Sequence, residues 1–163
     1  MKTLTLIRHA KSDWTYDLPD HDRPLNKRGK RDLPLVADRL NQFDCKPDIC
    51  FYSSARRAKD TANGLLDFMN VSTTRVETEK LYTFDAQDLL RFIKSIDNDL
   101  NHVMIVSHNP GSTDLINQIS HINLDNLPTC GYAQFTFNIA QWSAIEDVKG
   151  ELNLLEYPEM IGG

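Results

Sequence analysis

The sequence holds three cysteines, Cys45, Cys50 and Cys130, an odd number with no C-x-x-C pair. That usage argues against a secreted disulfide framework and fits a reducing compartment. No apolar run approaches the length of a membrane span, and no apolar leader follows Met1-Lys2-Thr3, so a cytoplasmic protein without membrane attachment is expected. Excess positive charge is also missing. The formal net charge is -5, which argues against nucleic acid or an anionic membrane as the partner. There is no internal repeat, low-complexity stretch or linker, and 163 residues can bury about two thirds of the surface of the unfolded chain, so one domain over 1–163, acting as a monomer, is expected. No His-x-x-x-His pair or histidine–carboxylate spacing joins His9, His21, His102 and His108, so neither a metal nor a cofactor is expected.

What is present alternates between two periods. Thr3–Arg8, Asp48–Ser53, Thr74–Thr78 and His102–Ser107 read as strands, the last with a continuously apolar Val-Met-Ile-Val core suited to a strand covered on both faces. Between them, Asn26–Phe43, Ala55–Met69 and the segment after Asp85 repeat apolar residues at helical spacing, and Pro110-Gly111-Ser112 opens a fourth helix. Pro34 conflicts with the first helix and predicts a kink or a later start. Ser53-Ser54 and Asp85 are expected to cap the second and third helices. Tyr132–Asn138 and Leu152–Tyr157 form a hairpin-like pair. The fold class is α/β, a three-layer sandwich with a mostly parallel central sheet and helices on both faces.

In such sheets ligands bind at the carboxyl ends of the strands. Three strand ends here carry groups suited to a phosphate: Arg8-His9, then Ser53-Ser54-Ala55-Arg56-Arg57 entering a helix, then Ser107-His108-Asn109-Pro110 entering another. Helix starts add free N–H groups and a positive dipole end. Each piece alone reads more simply as a structural histidine or a surface charge. Their conjunction at one sheet edge is the argument for a phosphoryl pocket.

Leu6-Ile7-Arg8-His9-Ala10-Lys11-Ser12-Asp13-Trp14 resembles the Arg-His-Gly signature of the histidine phosphatase superfamily, the phosphoglycerate-mutase-like fold, in the Arg-His-Ala form of the small SixA-type phosphohistidine phosphatases. The resemblance extends to Asp22-Arg23-Pro24-Leu25, to Ser53–Thr61 and to Val106–Pro110. It implies His9 as the nucleophile and Arg8, Arg57 and His108 as holders of the phosphoryl oxygens. Arg57 is preferred to Arg56 because the family's arginine directly precedes Ala-x-x-Thr, here Ala58-Lys59-Asp60-Thr61. Ser12 and Thr15 match accessory phosphate contacts, and Arg23 is placed at the pocket rim.

One departure concerns the acid that protonates the leaving group: Thr83 stands where the family carries it, with Asp85 and Glu79 as nearby alternatives. A departing imidazole, with a reference pKa near 6.5, needs less help than an alkoxide. The resemblance thus implies a metal-independent phosphatase acting on phosphohistidine in a protein partner. Small phosphomonoesters on the same site, or a module that binds phosphate without turnover, are the alternatives. The basic segment Arg23–Arg31 is expected to dock an acidic partner surface. A competing reading takes Cys50 and Arg56, at the spacing of cysteine-dependent phosphatases, as the reactive pair.

Overall fold

The structure, a computed structural model, describes residues 1–162. Six strands form one sheet: β1 (Lys2–Arg8), β2 (Ile49–Ser53), β3 (Thr74–Thr78), β4 (His102–Ser107), β5 (Tyr132–Phe137) and β6 (Glu151–Glu156). Their order is β3-β2-β4-β1-β5-β6. The first four in that order are parallel, and β5 and β6 close one edge as an antiparallel pair. Helices α1 (Lys27–Gln42), α2 (Arg56–Met69), α3 (Ala86–Lys94) and α4 (Gly111–Ile119) cover the two faces.

The alternation along the central strands divides the core. Leu4 and Leu6 of β1 and Val103 and Ile105 of β4 join Leu89 and Ile93 of α3 and Leu115, Ile116 and Ile119 of α4. Ile7, Met104 and Val106 point the other way, into Leu33, Val36 and Leu40 of α1 and Ala58, Ala62, Leu65 and Leu66 of α2. Both faces are buried, which is why these strands read as unbroken apolar runs.

Helix α1 starts well before Pro34 and runs through it, correcting the expectation of a later start. Asn26 caps it, its Oδ1 accepting from the Gly29 N–H at 2.8 Å. Pro34 lies on the exposed face, where water can satisfy the carbonyl its missing N–H leaves free. Burying Leu33, Val36 and Leu40, at about 1.5–3 kcal/mol each, outweighs a proline cost of about 3 kcal/mol. Gly29 is required by close approach, since a Cβ there would stand 2.2 Å from the Lys11 carbonyl oxygen. This packs the start of α1 directly against the loop after β1.

Candidate active site

Because β2, β4 and β1 are parallel neighbours, their carboxyl ends lie side by side. The backbone at Arg8-His9 is tied on both sides: the His9 N–H donates to the Ser107 carbonyl at 3.1 Å, and the Cys130 N–H lies 3.1 Å from both the Arg8 and the His9 carbonyls. Arg8, His9, Ser12, Arg23, Arg57 and His108 then line one cavity of about 310 Å³.

His9 is 7% exposed. Its Nδ1 lies 2.7 Å from the Ala10 carbonyl, which can only accept, so Nδ1 carries the proton and Nε2 keeps a lone pair. Arg57 Nε donates to that Nε2 at 3.3 Å. Burial chiefly, opposed by the Ala10 hydrogen bond and reinforced by His108, Arg57 and Arg8, pushes the His9 pKa down to about 3. The His108 ring sits 5.2 Å from that of His9, with Nε2 2.7 Å from Ser53 Oγ. Its Nδ1 is buried and unpartnered, as is Arg8 Nε, while Arg8 Nη1 donates to the Leu127 carbonyl at 2.9 Å. Burial first, then Arg57, lowers the His108 pKa to about 3 as well. Ser53 therefore orients a histidine; Ala55 takes the N-cap position of α2 and no side chain caps that helix, contrary to the expected serine cap. Asp85 does cap α3, accepting from the Gln87 N–H at 2.9 Å.

The sequence reading missed Asp20. Its carboxylate accepts from Arg57 Nη2 at 3.0 Å, Arg23 Nη2 at 3.2 Å and the Tyr82 hydroxyl at 2.6 Å. Arg57 Nη1 adds a bond to its backbone carbonyl at 2.7 Å. Desolvation opposes the charge, but Tyr82, Arg57 and Arg23 outweigh it and hold the Asp20 pKa at about 2. Asp20 shares its loop with Asp13, Asp17 and Asp22, and no periodicity distinguishes among the four. The one sequence signal was its place three residues before Arg23.

Two further expectations change. Arg23 is an inner wall of the cavity rather than its rim: it is buried, donates to Ser12 Oγ at 2.6 Å and stacks on Trp14, its guanidinium carbon 3.5 Å from the ring centre. Thr15 does not line the cavity; it is exposed and its hydroxyl donates to Asp13 at 2.6 Å. Thr83 donates to Asp88 at 2.6 Å and, with Glu79, borders a separate cavity, while Asp85 is occupied as the α3 cap. Of the acids weighed in the sequence, none lines the His9 cavity; Asp20 does.

The competing cysteine reading loses its nucleophile. Cys50 is fully buried within β2, and burial pushes its thiol up to about 12, while Arg56 points outward and pairs with Asp60. His102 is committed at the far end of β4, its Nε2 2.8 Å from Thr5 Oγ1. Among the described residues no three His, Cys, Asp or Glu side chains converge as a metal site. No helix among them is long and apolar enough to cross a membrane.

The two depressed histidines make stability depend on acid. Their reference pKa is near 6.5, so between that value and about 3 the unfolded chain binds protons that the folded chain refuses. Stability therefore falls as pH falls through this window, by up to about 1.4 kcal/mol per pH unit for each histidine. Asp20, depressed as a carboxylate, adds a loss in the same direction below about pH 4. Urea midpoints are expected to drop steeply from pH 6.5 to 4, and the slope to be shallower in His9→Ala; a midpoint flat across that range would contradict the buried neutral histidines.

This strand order, with paired histidines and arginines at the carboxyl edge, is an α/β arrangement of the kind that the resemblance to phosphoglycerate-mutase-like proteins implies. A family model described as the histidine phosphatase superfamily, branch 1, matches residues 4–88, or 85 of the 163 residues. The chain belongs to that superfamily.

Among solved structures, a protein assigned as the phosphohistidine phosphatase SixA of Agrobacterium tumefaciens superposes with a TM-score of 0.83 at 23% identity, over 96% of this chain and 98% of that one. The protein histidine phosphatase SixA in complex with tungstate gives 0.80 at 19% identity over 97% and 98%. At these identities the likeness is one of fold. An uncharacterized protein of Mycobacterium leprae is 29% identical over 168 residues, covering 93% of this chain and 99% of that one. A chloroplastic protein of Arabidopsis thaliana, also uncharacterized, is 29% identical over 144 residues, and the match spans 81% of this chain but 65% of the longer relative.

Proposed function

We propose that this protein is a phosphatase that works through a phosphohistidine on His9, and that its substrate is phosphohistidine carried by a protein. The observation that carries the first part is the single unprotonated ring nitrogen of His9, held by Arg57 in a cavity whose other walls supply Arg8, Arg23 and the free Nδ1 of His108. A neutral imidazole attacks phosphorus, and fixed guanidinium groups neutralise the equatorial oxygens as charge develops. These residues supply the positive charge that phosphoryl transfer needs.

The leaving group supports the second part. With Thr83 turned to Asp88, an alkoxide would depart without the family's usual acid, whereas imidazole departs readily. The surroundings also fit a macromolecule: Trp14 and Phe84, 75% and 48% exposed, line the cavity together with exposed Lys11, and Lys27 lines a neighbouring cavity that shares Lys11, Ser12 and Trp14 with it. Arg28 is an exception within the basic segment, being committed to Glu159 and lying 3.8 Å from buried Asp32.

Two measurements test this reading. In a panel of phosphohistidine protein, phosphoserine peptide and small alkyl phosphomonoester, the first should be hydrolysed fastest; faster ester hydrolysis would remove the phosphohistidine assignment. Charge reversal at Lys27 and Lys30 should lower kcat/KM about tenfold on the protein substrate, more at low salt, and spare a small phosphoramidate. Equal losses on both would remove the docking role of the basic segment.

A further inference from the structure

The hydrolytic half of the proposed reaction needs a group to take a proton from water once phosphate sits on His9. Neutral His9 has one proton, on Nδ1, and that proton is held by the Ala10 carbonyl, so the nucleophile itself is no base for water. His108 has its Nε2 engaged with Ser53, and its ring is fully buried with Nδ1 closed off from bulk water, so it is not placed to pass a proton to solvent. The carboxylate that lines this cavity is Asp20.

Its position follows from one guanidinium. Arg57 Nε reaches His9 Nε2 and Arg57 Nη2 reaches Asp20 Oδ2, so the planar arginine sets the carboxylate beside the phosphoryl-accepting nitrogen along a single rigid group. The Tyr82 hydroxyl donates to the same oxygen, and Arg23 donates to Oδ1. Nearly half of the side chain remains exposed, so water reaches it directly.

We propose that Asp20 is the general base that activates water against the phosphorylated His9. The oxygen of water forms a bond to phosphorus as the bond from phosphorus to Nε2 breaks, and the electron pair returns to Nε2. His9 is thereby restored as the neutral Nδ1–H form. The water proton passes to Asp20 and then to the released phosphate, which returns the carboxylate to its starting state. The paired arginines serve two roles in turn: they hold Asp20 ionised in the empty pocket, and the arriving phosphoryl oxygens compete for them. That competition weakens the contacts that stabilise the carboxylate and raises its basicity when a base is needed.

This inference rests on His9 as the phosphoryl acceptor, and the experiment separates the two. With p-nitrophenyl phosphate and with phosphorylated imidazole as donors, rapid-quench measurements on wild type and Asp20→Asn follow the first turnover and the steady state separately. In the variant the burst that forms phosphorylated His9 should persist with its rate within a few-fold of wild type. Steady-state release of phosphate should fall by about 10²–10⁴, so that alkali-stable label accumulates. Tungstate should bind the variant at least as tightly as wild type, showing an intact pocket. If burst and turnover fall together, or turnover is unchanged, or tungstate binding is lost, Asp20 is a positioning residue or none, and the base assignment is wrong. If wild type itself neither forms the label nor releases phosphate, the His9 reading fails instead.

Discussion

His9→Ala is expected to lower turnover by about 10⁴-fold or more, leaving no phosphoryl label on the protein. The size of the effect follows from what the proposed mechanism asks of the ring at once: to supply the nitrogen that accepts phosphorus, to keep that nitrogen unprotonated through burial, and to return it to Arg57 afterwards. No other group in the cavity combines those properties, since the buried His108 ring is held by Ser53. In wild type the label should be acid-labile and alkali-stable, as a phosphoramidate is, and should map to His9. Cys50→Ser should leave turnover unchanged, its thiol being fully buried and unionised. Retention of substantial turnover in His9→Ala would sink the proposed mechanism, and binding of phosphate by wild type without label or release would make the protein a non-catalytic binder. Tungstate affinity measured on the alanine variant distinguishes loss of the nucleophile from loss of the fold.

Arg57 carries the second large effect. Its three nitrogens each have a separate partner: His9 Nε2, the Asp20 carbonyl and the Asp20 carboxylate. Arg57→Ala is expected to lower kcat by about 10³–10⁵, the range associated with an arginine that neutralises a transferring phosphoryl group. Arg57→Lys should recover about tenfold at most, because an ammonium supplies charge without the fork that places two groups at fixed separation. The loop from Asp13 to Pro24 offers an independent readout. Asp20 is pinned to α2 through this side chain, so limited proteolysis within the loop should accelerate in both variants. A lysine variant with near-wild-type kcat would show that charge alone suffices and that the fork geometry is dispensable.

The elements of the sheet were legible because burial on both faces of β1 and β4 leaves an unmistakable apolar run, and because Asp85 has the local chemistry of a cap. So was the convergence on one cavity of Arg8, His9, Arg57 and His108, which stand at strand ends or in the first turn of the helix that follows. What escaped was whatever depends on convergence between distant segments. Pro34 is tolerated because α1 is stabilised by its buried face, a tertiary effect that outranks local propensity. Ser53 looked like a cap and instead serves His108, fifty-five residues away. Asp20 and Tyr82 meet only when the loop after β1 folds over the end of β3, and nothing local in either segment announces the contact. Thr15 lies outside the pocket for the converse reason: the nearby Asp13 captures its hydroxyl, as Asp88 captures that of Thr83.

The central place of β1 also governs when during folding the site can exist. Arg8 pairs across the sheet with Ser107, and Ile7 pairs on its other side with Tyr132, so the strand that leads into His9 is flanked by partners remote along the chain. Closing such non-local pairings is slow and comes with the global collapse rather than before it. During synthesis, the segment carrying His9 must wait for β4 and β5 to emerge before its flanking hydrogen bonds can form. Until then the residue is an ordinary solvated histidine, without the arginines that surround it in the folded cavity. On the proposed mechanism, a phosphoryl label on His9 would therefore report that β4 and β5 have docked on either side of β1.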